Sequence, residues 1–114
     1  MAVEVILLET VVDWYEAMTE AEKDDFEVAV DLLEQEGVAL GFPWSSAIKG
    51  ASLGGMRELR YQHQGHPFRV LYAFDPSRQA ILLLGGDKSG DGRWYRRNVP
   101  RAQRLFQEYL ASSS

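Results

Sequence analysis

Apolar and polar positions change their period twice along this chain, and the changes divide it into elements. Val3 to Leu8 is a short run of Val, Ile and Leu with little turn chemistry, which predicts a buried strand. Asp13 with Glu16, and Thr19 with Glu22, have capping-box spacing, in which the first side chain accepts an orphan backbone N–H and the later carboxylate reaches back. They predict two successive helices, over residues 13–18 and 19–36. On the second, Phe26, Ala29, Val30 and Leu33 recur at helical spacing as a core stripe, with Asp24, Asp25, Asp31 and Glu34 elsewhere on the wheel. Gly37 follows as a C-cap residue able to take a positive φ. From Val38 to Gly55 no period can be read, which predicts an ordered connecting loop anchored by Trp44 and Ile48.

After the loop the period becomes two. In Arg57 to His63, Leu59 and Tyr61 share one face, and Glu58, Arg60 and Gln62 the other. Phe68, Val70, Tyr72 and Phe74 form a second inward set, which puts Arg69 opposite with Leu71 and Ala73. A hairpin turning at Gln64-Gly65-His66-Pro67 then brings Arg60 and Arg69 to the same side. A second turn, Asp75 to Arg78, precedes Gln79 to Leu84, whose nearly continuous apolar character suits a central strand. Gly85-Gly86 opens a polar, glycine-rich loop running to Arg97. Asn98 suits an N-cap and Pro100 a first helical turn, and Val99, Ala102, Leu105, Phe106, Tyr109 and Leu110 mark a final amphipathic helix with a frayed tail, Ala111 to Ser114. The expected fold is α+β: a small antiparallel meander packed against two N-terminal helices, with a C-terminal helix, as one domain over residues 1–114.

Length and composition agree: 114 residues, 46% hydrophobic, suffice for one core and not for two. Cysteine is absent, which removes disulfides, thiolate metal sites and thiol nucleophiles and is compatible with a reducing compartment. The N-terminal apolar run carries acid on both sides, lacks a basic flank and is too short to cross a bilayer. A cytoplasmic protein without membrane contact is expected. The net charge of −5 conceals a split, because Met1 to Glu36 holds twelve acids against one base, whereas Gly37 to Ser114 holds eleven bases against five acids. That asymmetry points to a basic surface for phosphate or an acidic partner, beside the solvated acidic faces of the helices.

The glycine-rich loop has no phosphate-cradling signature. His63 and His66 have no third ligand at metal spacing, and no Ser-His-Asp set can be assembled, so neither a metal nor a cofactor is expected. What remains is a group of Arg, Lys and Tyr on one sheet face and at its ends: Arg60, Arg69, Lys88, Arg93 and Tyr95, with Lys49 near the end of the loop. Guanidinium forks suit phosphodiesters, and Lys or Tyr can transfer protons. Trp94 and Tyr95 offer rings for an unpaired base.

The pieces I-K-G (Ile48 to Gly50), M-R-E-L-R (Met56 to Arg60), F-R-V-L-Y (Phe68 to Tyr72), I-L-L-L-G-G-D-K-S-G (Ile81 to Gly90) and W-Y-R-R-N-V-P-R-A (Trp94 to Ala102) resemble, in this order, the RelE/ParE superfamily of type II toxins. The closest resemblance is to its HigB-like, phage-derived branch. The resemblance implies a ribosome-dependent endoribonuclease that cuts mRNA without metal, by attack of a ribose 2′-hydroxyl on the adjacent phosphate. It assigns Arg69 to transition-state charge, Lys88 to phosphate binding or proton transfer, and Tyr95 to stacking or proton transfer. Arg60 and Arg93 are assigned to positioning the backbone, with Lys49 and Trp94 as further RNA contacts. The implied partners are a helix-turn-helix antitoxin covering the Arg60/Arg69 face, the ribosome and mRNA, with DNA reached only through the antitoxin. ParE relatives inhibit gyrase by binding, so a non-nuclease toxin stays open, as does a degenerate one acting only in its antitoxin complex.

Overall fold

A computed structural model describes residues 2–49 and 55–112. Gly50 of the I-K-G piece, residues 51–54 of the expected connecting loop and the last two residues of the expected tail lie outside the described residues. The elements are β1 (Val5–Leu7), α1 (Glu9–Glu16), α2 (Glu20–Glu36), a 3-10 turn (Gly37–Ala39), β2 (Ser45–Ala47), β3 (Arg57–His63), β4 (His66–Phe74), β5 (Ala80–Asp87) and α3 (Trp94–Ser112). The strands form one sheet in the order β1-β5-β4-β3-β2. The β3–β4–β5 meander is present as expected. The sheet is mixed rather than wholly antiparallel, because β1 lies parallel to β5, with Ile6 beside Ile81.

The sheet is covered on both faces. On one, Leu59, Tyr61, Phe68, Val70, Tyr72 and Leu82 pack with Val11 of α1 and Phe26, Ala29 and Leu33 of α2. On the other, Leu71, Ala73, Ile81 and Leu83 pack with Trp94, Ala102 and Phe106 of α3. The face that strand alternation assigns to the arginines therefore carries a second core, with its charged residues at the end of the sheet that α3 leaves partly open.

Several boundaries differ from those the sequence predicts. The first helix begins at Glu9, where Leu8 supplies an extended N-cap residue without a side-chain cap, so Asp13 lies mid-helix and caps nothing. The Thr19–Glu22 box is formed as expected, with bonds of 3.1 and 2.8 Å. Ser45–Ala47, expected as loop, pairs antiparallel with β3. Asp91 caps the last helix early: its carboxylate accepts from the Arg93 N–H at 3.0 Å and its carbonyl from the Trp94 N–H at 3.3 Å. Asn98 is thus buried inside α3, donating to the Trp94 carbonyl at 2.9 Å, and Pro100 lies past the first turn. The helix continues to Ser112.

An irregularity in β5 sets which layer each residue at its end faces. Leu71 pairs with Leu84 but Tyr72 pairs with Leu82, so Leu83 is an extra residue and the facing of everything after it is reversed. Gly85 then meets Trp14 of α1, and Gly86 meets Trp94 of α3. With no Cβ at either position, each indole lies directly against the strand.

Candidate functional site

The site is built on the β3–β4 hairpin. Gln64 and Gly65, at φ of 50° and 81°, supply the left-handed pair that a two-residue hairpin turn requires. The register this turn fixes places Arg60 directly across from Arg69. Like charges in that relation destabilise a sheet, and here an anion resolves the conflict. Glu58, on the same face, lies 3.1 Å from Arg60 through Oε2 and 3.4 Å from the Arg69 Nε through Oε1. Glu58 is 5% exposed and Arg69 6%. The Arg69 Nε contact is an ion pair that does not meet hydrogen-bond geometry; another guanidinium nitrogen donates to the Phe68 carbonyl at 2.9 Å.

The first turn of α3 completes the cluster. Trp94 packs on Gly86, the partner of Arg69 across β4 and β5, and this close approach brings Tyr95 over the end of the sheet. The Tyr95 hydroxyl donates to Glu58 Oε1 at 2.5 Å. Burial, and then this bond to a carboxylate, raise its pKa above the usual 10.0, against the opposing influence of Arg69. Tyr95 is therefore a neutral phenol, able to donate a proton, across the physiological range. The Lys88 ammonium lies 5.8 Å from the centre of its ring.

A cavity of about 590 Å³ opens beside this cluster, lined among others by Ile48, Lys49, Glu58, Tyr95, Arg96 and Val99. A smaller cleft of about 220 Å³ lies against Arg60 and Arg69. Of the residues singled out in the sequence, Arg60, Arg69, Lys88 and Tyr95 come together, and Lys49 stands exposed in the cavity lining. Arg93 is exposed at the start of α3, where its backbone N–H meets Asp91. Trp94, expected to stack on a base, is 4% exposed and belongs to the core under α3, so it presents no free face. The sequence reading missed Glu58, which joins all three central groups. The available signal was an acid two positions before Arg60, hence on the same strand face.

Chemically, the cluster offers two guanidiniums for an oxyanion, a carboxylate able to accept a proton and a phenol able to give one. Among the described residues no three His, Asp or Glu side chains converge to hold a metal ion, and no helix is long and apolar enough to cross a membrane.

Comparison with known proteins bears on the family and the fold. Residues 13–107 match the family of phage-derived Gp49-like proteins (DUF891). A Mycobacterium tuberculosis protein named "Putative toxin HigB3" is 45% identical over 95% of this chain and 94% of its own length. A second from the same organism, "Putative toxin HigB2", is 44% identical over 73% of this chain, which spans only 42% of it. Among solved structures, a mutant of the Escherichia coli toxin RelE in the free state superposes with a TM-score of 0.64 at 10% identity, covering 89% of this chain and 98% of that one. The archaeal RelE–RelB complex from Pyrococcus horikoshii contains a chain with a TM-score of 0.58 at 20% identity, covering 79% and 99%. The fold is RelE-like, and the chain belongs to the phage-derived Gp49-like family.

Proposed function

We propose that residues 1–114 act as one unit, the toxin of a type II toxin–antitoxin pair, and that this toxin cleaves mRNA on the ribosome without a metal. The observation that carries the reading is the Glu58–Arg60–Arg69–Tyr95 cluster beside an open cavity, in a chain 45% identical to a protein named as a toxin. An entering phosphate exchanges for Glu58 as the partner of Arg60 and Arg69. The freed carboxylate takes the proton of the ribose 2′-hydroxyl, and the 2′-oxygen attacks phosphorus. The P–O5′ bond breaks, and the departing oxygen takes the Tyr95 proton, with Lys88 beside it as a further cation. The products are a 2′,3′-cyclic phosphate and a 5′-hydroxyl end. The two guanidiniums stabilise the charge that builds on the pentacovalent phosphorane. The structure of a RelE neighbour in complex with RelB supports an antitoxin partner for this chain as well.

Controlled expression followed by mapping of mRNA 5′ ends tests this. The wild type is expected to stop growth and leave new 5′-hydroxyl ends in translated messages. Arg69→Ala should reduce cleavage on the order of 10² to 10³-fold, as for loss of one oxyanion donor. Because Arg69 is buried, Tyr95→Phe serves as a second variant and should also fall. Wild-type expression without effect on growth or message would end the reading, and inhibited supercoiling with intact mRNA would point to gyrase.

A further inference from the structure

Phe42 is 77% exposed, although it is a large apolar ring. It sits in a tight turn where the Trp44 and Ser45 N–H groups both donate to the Gly41 carbonyl, at 3.1 and 3.0 Å, and the Trp44 carbonyl accepts from the Arg60 N–H at 2.8 Å. The turn is thereby fastened to β3 beside the charge cluster. The Arg60 guanidinium lies 5.4 Å from the centre of the Phe42 ring, while its other contact is Glu58 at 3.1 Å. Phe42 therefore stands one guanidinium away from the anion-binding cluster.

Next to the turn, and sharing Arg60 with the ring, is the cleft of about 220 Å³, lined by Pro43, Trp44, Arg60, Tyr61, Gln62 and Arg69. Among the described residues no carboxylate lines it, and Gln62, exposed on the strand, offers both a donor and acceptors. An exposed ring at Arg60, next to a cleft that Arg60 and Arg69 both line, is a pairing that holds an unpaired base and its own phosphate together, since stacking and charge are satisfied at once. This cleft and the larger cavity adjoin opposite members of the cluster, Arg60 and Arg69 on one side and Glu58 and Tyr95 on the other.

We infer that Phe42, with the cleft beside its turn, holds an unpaired nucleobase next to the phosphate bound by Arg60 and Arg69. The inference rests on the nuclease reading for its ligand and gives the site a second aromatic contact, in a turn whose sequence shows no period. It also makes the turn from Gly41 to Ser45 a determinant of which base is accepted beside the scissile bond.

The test uses a labelled single-stranded RNA hexamer with 2′-O-methyl riboses, which cannot be cleaved, and its fully abasic counterpart, each titrated by fluorescence anisotropy. Phe42→Ala should weaken hexamer binding roughly tenfold, Phe42→Trp should retain it, and the abasic strand should bind wild type and Phe42→Ala alike. Equal hexamer affinities for wild type and Phe42→Ala overturn the inference, as does an equal loss on both strands, or a wild type that does not bind the hexamer. If Phe42→Ala keeps RNA affinity and instead releases an antitoxin co-expressed from the adjacent gene, the ring belongs to a protein interface and the inference is wrong. The nuclease reading is decided separately, by the mRNA ends, so a failure of this inference is distinguishable from a failure of that reading.

Discussion

Replacing Glu58 by Gln would leave the Arg69 guanidinium, on a side chain 8% exposed, without its counter-charge. Removing one partner of a buried pair costs more than the pair contributes, because the remaining charge has lost its water without compensation. Glu58→Gln should therefore lower stability by roughly 3 kcal/mol, read as a shift of the urea midpoint, and should also abolish cleavage under conditions where the variant is folded. A midpoint equal to wild type would show that Arg69 does not depend on Glu58. The residue scale also marks where sequence reading stops. Alternation correctly set Glu58, Arg60 and Arg69 on one face, since a period of two fixes which side chains share a side. It carries no information on what covers that side. Three residues that look solvated in the sequence become a partly buried network once the first turn of α3 closes over them, and Trp94 passes from expected ligand contact to core for the same reason.

At the scale of elements, long periodic segments were legible and terse ones were not. The core helix with its Thr19–Glu22 cap and the three meander strands follow from pattern alone. The three-residue β2 is too short for a period, and α1 starts at Glu9, after an N-cap residue, Leu8, that has no side-chain cap to announce it. Asn98 and Pro100 imitate a helix start, but Asp91 had already capped the helix before Trp94. The layer spacing at β5 depends on two glycines whose role appears only in three dimensions. A Cβ built on Gly85 would lie 2.8 Å from Trp14 Cη2 and 2.9 Å from Cε3, inside van der Waals contact. Gly85→Ala should force the indole and α1 away from the sheet and cost roughly 1–3 kcal/mol, as overpacking does. In a Trp14→Leu background, where the ring is gone, the same substitution should cost much less. Equal losses in the two backgrounds, measured by thermal unfolding, would refute that coupling.

For the molecule as a whole, the charge split seen in the sequence persists in space and has a consequence at high pH. The acidic helices α1 and α2 surround tyrosines on one side of the sheet. Tyr15, hydrogen-bonded to Glu27 and near Glu20 and Asp24, is raised to about 12. Tyr61 is raised further, chiefly by burial and also by Asp25 and Glu22, and among the described residues its hydroxyl finds no hydrogen-bond partner. Tyr109 is raised by burial and by Asp75, and Tyr95 at the site by burial and Glu58. Above pH 10 the unfolded chain releases these protons while the native chain keeps them, so the native state binds more protons and stability falls as pH rises. The decline should begin near pH 10, the ordinary tyrosine value, and continue to about pH 12 and above as the native phenols titrate in turn. Tyr61→Phe removes one such group together with an unpaired buried hydroxyl. Urea unfolding at pH 8, 10 and 11 should find this variant at least as stable as wild type at pH 8, because a buried polar atom without a partner contributes nothing favourable. Its loss between pH 10 and 11 should be the smaller of the two. An unchanged slope would place the alkaline sensitivity elsewhere, and a lower stability at pH 8 would mean that the hydroxyl has a partner after all.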